Sequence, residues 1–169
     1  MFDPYVPTLS VEEVTLPNGR RMEIRVVRHP GAVAIIPMLS EDRLIMLRQY
    51  RPTVGRWLVE LPAGTLKPHE SPEECARREL LEETGYEASD LTKLFEVFLA
   101  PGYSDELLHV YLARGLEFKG ARPSPDEVIE VVEVSLDEAL ELVRRNVVRD
   151  AKTISALLYL AYVLPKGHL

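Results

Sequence analysis

One cysteine, no long apolar run and no excess of positive charge set the first bounds on this chain of 169 residues. Cys75 has no second cysteine to pair with, so a reducing compartment is implied and a cytoplasmic protein is expected. No apolar stretch approaches the ~20 residues a membrane helix needs. The opening MFDPYVPTLS has neither a basic segment nor an apolar signal core. A formal charge of -7 lacks the positive surface that nonspecific nucleic-acid binding requires. We therefore expect no nucleic-acid and no membrane partner. A small phosphate ligand stays open, because an acidic pocket that collects Mg²⁺ inverts its own local potential. The four histidines, His29, His69, His109 and His168, are scattered without metal-ligand spacing. With 46% hydrophobic residues, the chain can build one sizeable core but is too short for two ordinary domains.

The most informative stretch is GTLKPHESPEECARRELLEETGY, residues 64–86. Ser71-Pro72-Glu73-Glu74 has the form of a capping box, with Ser71 at the N-cap and proline at the first helical position. Gly85 supplies the stop, so the pattern predicts a helix over 72–84. Ala76 and Leu80 recur at i, i+4 as an apolar face, with Leu81 beside them. Glu79 and Glu83 also stand at i, i+4, and Glu82 at i+3 from Glu79 lies on nearly the same face. Stacked like charges cost an isolated helix about a few tenths of a kcal/mol per pair. A cation against them reverses that cost, and clustered carboxylates suit hard Mg²⁺ or Mn²⁺. Pro62-Ala63-Gly64 reads as a tight loop whose glycine turns carbonyls toward a ligand, and the Ala63 carbonyl could complete a metal shell. Arg78 could pair with Glu82 or Glu74 and orient them. Glu70 suits a supporting or second-metal role. The competing reading is a solvated charged helix face.

Gly64, Glu70, Arg78-Glu79, Glu82-Glu83 and Gly85 fall in the order G-x5-E-x7-R-E-U-x-E-E-x-G-U, where U is bulky and apolar. The chain therefore resembles the Nudix hydrolases. Tyr86 departs from the aliphatic residue commonest at the last position, which bears on packing behind the helix rather than on the ligands. The resemblance implies Mg²⁺, with Mn²⁺ as a possible substitute, held by Ala63, Glu79, Glu82, Glu83 and Glu127. It implies catalytic roles for Glu83, Glu127, Glu82 and Arg78. The base stays open: Glu127 with Asp126 beside it lies in the loop before the last strand, Pro125 stands where some relatives carry a second glutamate, and Glu83 could take the role.

Elsewhere the pattern is α with β and no repeats. Residues 11–27 read as two short strands around Asn18-Gly19, a strong hairpin signal. Further strands are expected at 32–39, 43–49, 57–61, 94–99, 107–113 and 128–134, and amphipathic helices at 136–146 and 154–163. Together with the resemblance this implies an α/β Nudix fold, a mixed β-sheet sandwiched between α-helices (α/β/α). Residues 1–29 would be an N-terminal β-hairpin extension, and 30–169 the Nudix hydrolase domain.

The flanks narrow the substrate. Arg48-Gln49-Tyr50-Arg51-Pro52, Glu60-Leu61-Pro62-Ala63-Gly64 and Ala100-Pro101-Gly102-Tyr103-Ser104-Asp105-Glu106 are similar to what ADP-ribose pyrophosphatases carry in these places. Substrate-binding positions are thereby implied at Arg51, Glu60, Gly64, Gly102 and Glu106. Arg51 offers a bidentate donor for phosphate or an adenine edge, or else a surface ion pair. Glu60 could accept from the adenine amino group or be an exposed strand residue. Glu106 could reach the metal site or only cap a loop. Trp57 could stack on a base or sit in the core. The resemblance implies cleavage of ADP-ribose to AMP and ribose 5-phosphate, in a homodimer whose partner hairpin closes the adenine pocket. GDP-mannose or another nucleoside diphosphate sugar, a triphosphate, and a Nudix-fold sensor without catalysis are the rival readings.

Overall fold

The computed structural model describes residues 7–121 and 127–164. The Asn18-Gly19 hairpin forms from β1 (Thr8–Thr15) and β2 (Arg21–Arg28), paired in register from Thr8↔Arg28 to Thr15↔Arg21. Gly19, at φ 81°, closes the turn where a side chain would be strained.

Two further sheets follow. The first is mixed, in the order β6-β3-β8-β7, built from β3 (Ala32–Pro37), β6 (Ala63–Thr65), β7 (Tyr86–Phe98) and β8 (Leu107–Phe118). β3 runs parallel to β8 and antiparallel to β6, and β7 is antiparallel to β8. The second is antiparallel, in the order β5-β4-β9, from β4 (Arg43–Arg51), β5 (Arg56–Glu60) and β9 (Ile129–Ser135). The expected single mixed sheet is thus divided in two. Its helices are α1 (Pro72–Thr84), α2 (Leu136–Arg144) and α3 (Ala151–Leu158), the last running into a π turn over Tyr159–Val163.

β3 is buried throughout, as a central strand covered on both faces must be. Its alternate residues serve two cores. Val33 and Ile35 face Cys75, Ala76 and Leu80 of α1, together with Tyr111 and Ala113 of β8. Ala32, Ala34 and Ile36 join Leu108, Val110 and Leu112 of β8, and Leu44 and Met46 of β4, against Ala139 of α2 and Ala156, Leu157 and Leu160 beyond it. Helices on opposite faces of β3 and β8 give the expected α/β/α arrangement.

Several elements differ from the sequence expectation. Pro62-Ala63-Gly64 is no tight loop: Ala63 and Gly64 are extended in β6, with Ala34↔Ala63 and Val33↔Gly64 as partners. β7 and β8 are also longer than expected. Their outer halves pair Tyr86↔Phe118 through Asp90↔Arg114 as a ribbon with much solvent exposure, so polar residues there mask the strand signal. Tyr86 packs edge-on against Phe118, with ring centroids 5.2 Å apart. Pro125, Asp126 and His168 lie outside the described residues.

Candidate active site

The site begins with α1. Ser71 Oγ accepts from the Glu74 N–H, while the Ser71 N–H donates to Glu74 Oε2 at 2.8 Å, so the capping box is complete. Gly85, at φ 81° with its N–H on Leu81 O, ends the helix as a left-handed cap. Cys75, Ala76 and Leu80 are fully buried against β3 and β8, and this fixes the helix's rotation. Glu79 and Glu83 then meet β6.

Glu83 is 2% exposed, and its Oε2 accepts the Ala63 N–H at 2.9 Å. Burial pushes its carboxyl up to about 8; the Ala63 hydrogen bond opposes this, and the charges of Glu79 and Glu127 add to it. Glu79 is also buried and held above the ordinary carboxylate range by desolvation, against the pull of Arg78. Gly64 makes this approach possible: a Cβ there would stand 1.9 Å from Glu79 Oε1. Its role is absence of bulk, since its φ is not in the left-handed region.

Arg78 is the hub of the cluster. Nε and Nη2 take both oxygens of Glu70 at 2.7 and 2.9 Å, and Nη1 donates to Glu79 at 2.5 Å and Glu82 at 3.1 Å. Nη2 also reaches Thr65 O at 3.3 Å. Glu70, fixed in addition by the Lys67 N–H, is held near a pKa of about 2, chiefly by Arg78. Glu74, the other expected partner of Arg78, is committed to Ser71 instead. Glu82 remains about one-third exposed. Glu127 is half-buried just before β9, with its charge felt at both Glu79 and Glu83.

Beside the carboxylates lies a cleft of about 220 Å³, lined among others by Arg51, Ala63, Gly64, Glu106 and Lys152. A larger hollow of about 380 Å³ on the hairpin, around Glu12 and Arg21, carries no comparable convergence of buried groups. Glu106 contributes to the cleft, and His29 Nε2 stands 3.9 Å from its Oε1. Gly102 does not line the cleft; it sits exposed in the loop 100–106. Glu60 is 1% exposed rather than an exposed strand residue, and both its oxygens are engaged by Arg51, at 2.9 and 2.8 Å. Trp57 is in neither a core nor the cleft. It stacks edge-on against Tyr50, and the Arg48 guanidinium lies 4.4 Å from its ring centroid.

Among the described residues, no three acidic, histidine or cysteine side chains form a ready-made cage for a cation. The donor chemistry nevertheless fits Mg²⁺: two buried carboxylates, raised in pKa by burial and by the charges of neighbouring glutamates, are groups that a hard cation relieves.

Sequence reasoning missed Lys152, Asp150 and Thr153. The last helix, expected from residue 154, starts at Ala151 with Asp150 as N-cap, accepting from the Thr153 N–H. The Asp150-x-x-Thr153 spacing was the available signal.

Residues 28–157 match the NUDIX domain. The chain is 45% identical to an ADP-ribose pyrophosphatase of Bacillus subtilis over 95% of its length and 88% of that protein's. It is 41% identical to a methanol dehydrogenase activator of Bacillus methanolicus, with the same coverage. It is 34% identical to GDP-mannose pyrophosphatases of Escherichia coli, covering 83% of this chain and 82% of theirs. A crystal structure of an ADP compounds hydrolase superimposes with a TM-score of 0.75 at 28% identity, over 90% of each chain. With Glu79 and Glu83 buried against β6 and the match spanning most of the chain, this protein belongs to the Nudix family.

Proposed function

We propose that the protein is a Mg²⁺-dependent ADP-ribose diphosphatase, yielding AMP and ribose 5-phosphate. The observation that carries the reading is the buried pair Glu79 and Glu83, brought beside the Arg51 cleft by α1 and β6. The similarity to the B. subtilis enzyme selects the substrate.

Glu79 and Glu83 would hold Mg²⁺, or Mn²⁺ in its place, with Glu82, Glu127 and the Ala63 carbonyl as further oxygen donors. When bound there, the cation would neutralise diphosphate charge and make a nearby water more acidic. Arg78 keeps Glu70, Glu79 and Glu82 in fixed relation, so the acidic face does not splay under its own repulsion. The Ala63 N–H fixes one oxygen of Glu83. Glu127, whose charge is felt at both buried carboxylates, is the group we assign to take the proton from the attacking water. Arg51 at the cleft meets the diphosphate, and Glu106 lines the wall for the sugar or base. Glu60, already bound on both oxygens, acts through Arg51 rather than on adenine.

We propose residues 1–29 as a separate extension and 30–169 as the catalytic domain, in a cytoplasmic homodimer. The exposed Leu9, Val11 and Met22 of the hairpin support a protein contact there. Among the described residues no helix is long and apolar enough to cross a membrane.

The test is product analysis after incubation with ADP-ribose and Mg²⁺ in ¹⁸O-water, with GDP-mannose and ATP in parallel. Rapid AMP formation from ADP-ribose alone supports the proposal, and the label shows which phosphorus is attacked. Faster cleavage of GDP-mannose transfers the function to the second reading, favoured by the E. coli relatives. Mg²⁺-independent binding with no turnover of any of the three indicates a sensor.

A further inference from the structure

We infer that Lys152 is a positioning residue for substrate binding, acting through Glu60 on Arg51. The inference rests on the diphosphate reading above and adds to it a residue from the far end of the chain.

Glu60 ends β5 and is essentially closed to solvent. Arg51 Nε and Nη2 occupy its two oxygens from one side. From the other side Lys152 Nζ reaches Oε2 at 2.5 Å and Asp150 Oδ1 at 2.9 Å. Asp150 in turn accepts the Thr153 hydroxyl at 2.6 Å, and Thr153 Oγ1 accepts the N–H of Leu61, the residue after Glu60, at 2.9 Å. The first turn of α3 is therefore fastened to the end of β5 at two adjacent points. Cations and carboxylates alternate along Arg51, Glu60, Lys152 and Asp150.

Two consequences follow. Glu60 cannot rotate without breaking bonds on both sides, so the guanidinium plane it holds is fixed as well. The second consequence is electrostatic. A guanidinium that faced a carboxylate of its own would be largely neutralised toward a further anion. Lys152 draws on the same carboxylate, so Arg51 keeps more of its attraction for phosphate. The exposures fit this division: the Arg51 side chain is 35% exposed at the cleft, whereas that of Lys152 is 11% exposed.

The experiment compares wild type, Lys152→Met, Arg51→Ala and the double variant in steady-state kinetics on ADP-ribose with Mg²⁺. Folding is checked by circular dichroism, and Lys152→Gln replaces Lys152→Met if the latter does not fold. Lys152→Met is expected to raise KM about tenfold with kcat within about twofold of wild type, the split that marks lost binding rather than lost chemistry. The double variant is expected to match the KM of Arg51→Ala within about twofold, because coupled residues are not additive. Additive losses in the double variant, or kcat falling as much as kcat/KM in Lys152→Met, would overturn the inference. Calorimetric affinity for α,β-methylene ADP-ribose carries the same four-way comparison without turnover. Failure of wild type to hydrolyse ADP-ribose would thus count against the function and leave the test of Lys152 intact.

Discussion

Gly64 and Glu79 lie so close that a single added carbon on the first would overlap the second: a Cβ at Gly64 falls 1.9 Å from Oε1 and 2.0 Å from the carboxyl carbon of Glu79. Gly64→Ala therefore displaces a proposed metal ligand without altering any charge. Misplacing a catalytic group by about 1 Å can cost ~100-fold in rate. We expect Gly64→Ala to lose about that much kcat while remaining folded, since β6 tolerates alanine at an extended φ. Kinetics and a thermal melt on the same sample check this, and near-normal turnover would separate Gly64 from the site.

Glu83 yields a pH prediction for metal-free protein. Its folded pKa of about 8 lies above the ordinary value of 4.5, so the folded state binds a proton more readily than the unfolded chain. Stability from this group is full below about 4.5 and is lost as pH rises through about 8. Glu79 is shifted in the same direction. The melting temperature of EDTA-treated protein should fall from pH 5 to pH 8.5, and the slope should flatten in Glu83→Gln. Glu83→Gln should also lower kcat by at least ~100-fold, the low end for losing acid–base or metal catalysis. Unchanged turnover in the folded variant contradicts the assignment.

Mg²⁺ should act in the opposite sense. A cation that binds only the ionised carboxylates stabilises the fold by mass action, and it competes with protons for Glu83 and Glu79, whose pKa values burial raises. The rise in melting temperature on adding MgCl₂ should be larger at pH 8.5 than at pH 5.5. It should vanish in the Glu79→Gln, Glu83→Gln double variant, which differential scanning fluorimetry would show.

The legibility of the molecule divides by the range of its interactions. α1 was readable because its start, stop, apolar face and acidic face are all written within residues 64–86, and Ser71, Gly85 and Cys75 do what the local pattern demands. The hairpin was readable from Asn18-Gly19 for the same reason. Glu60 was not: its burial and its two cations come from Arg51 on the neighbouring strand and from Lys152 on a helix 92 residues away. Nor was the role of Gly64, whose constraint is a close approach across β6 rather than a turn. The division into two sheets follows from partner choice, β3 pairing with β6 and β8 while β4 pairs with β5 and β9, which no local pattern specifies.

The hairpin is joined to the cleft through the loop 100–106. Asp105 accepts from Arg28 Nη1 and from the His29 N–H, each at 2.8 Å, and Arg28 also holds Glu12 on β1. Ser104 Oγ donates to Val27 O, and the Val27 N–H donates to Tyr103 O. The loop 100–106 is thus laced to β2 immediately before Glu106 enters the cleft. Asp105→Ala leaves the partly buried His29 N–H without its acceptor, a loss of about 1–3 kcal/mol, or roughly 2–4 °C of melting temperature per kcal/mol for a chain of this size. Amide exchange should quicken at His29 and across residues 100–106, ahead of the core strands. KM should rise more than kcat falls, because the freed loop carries a cleft wall and no proposed metal ligand. Exchange unchanged in the loop, with loss confined to kcat, would show that Asp105 serves the chemistry directly.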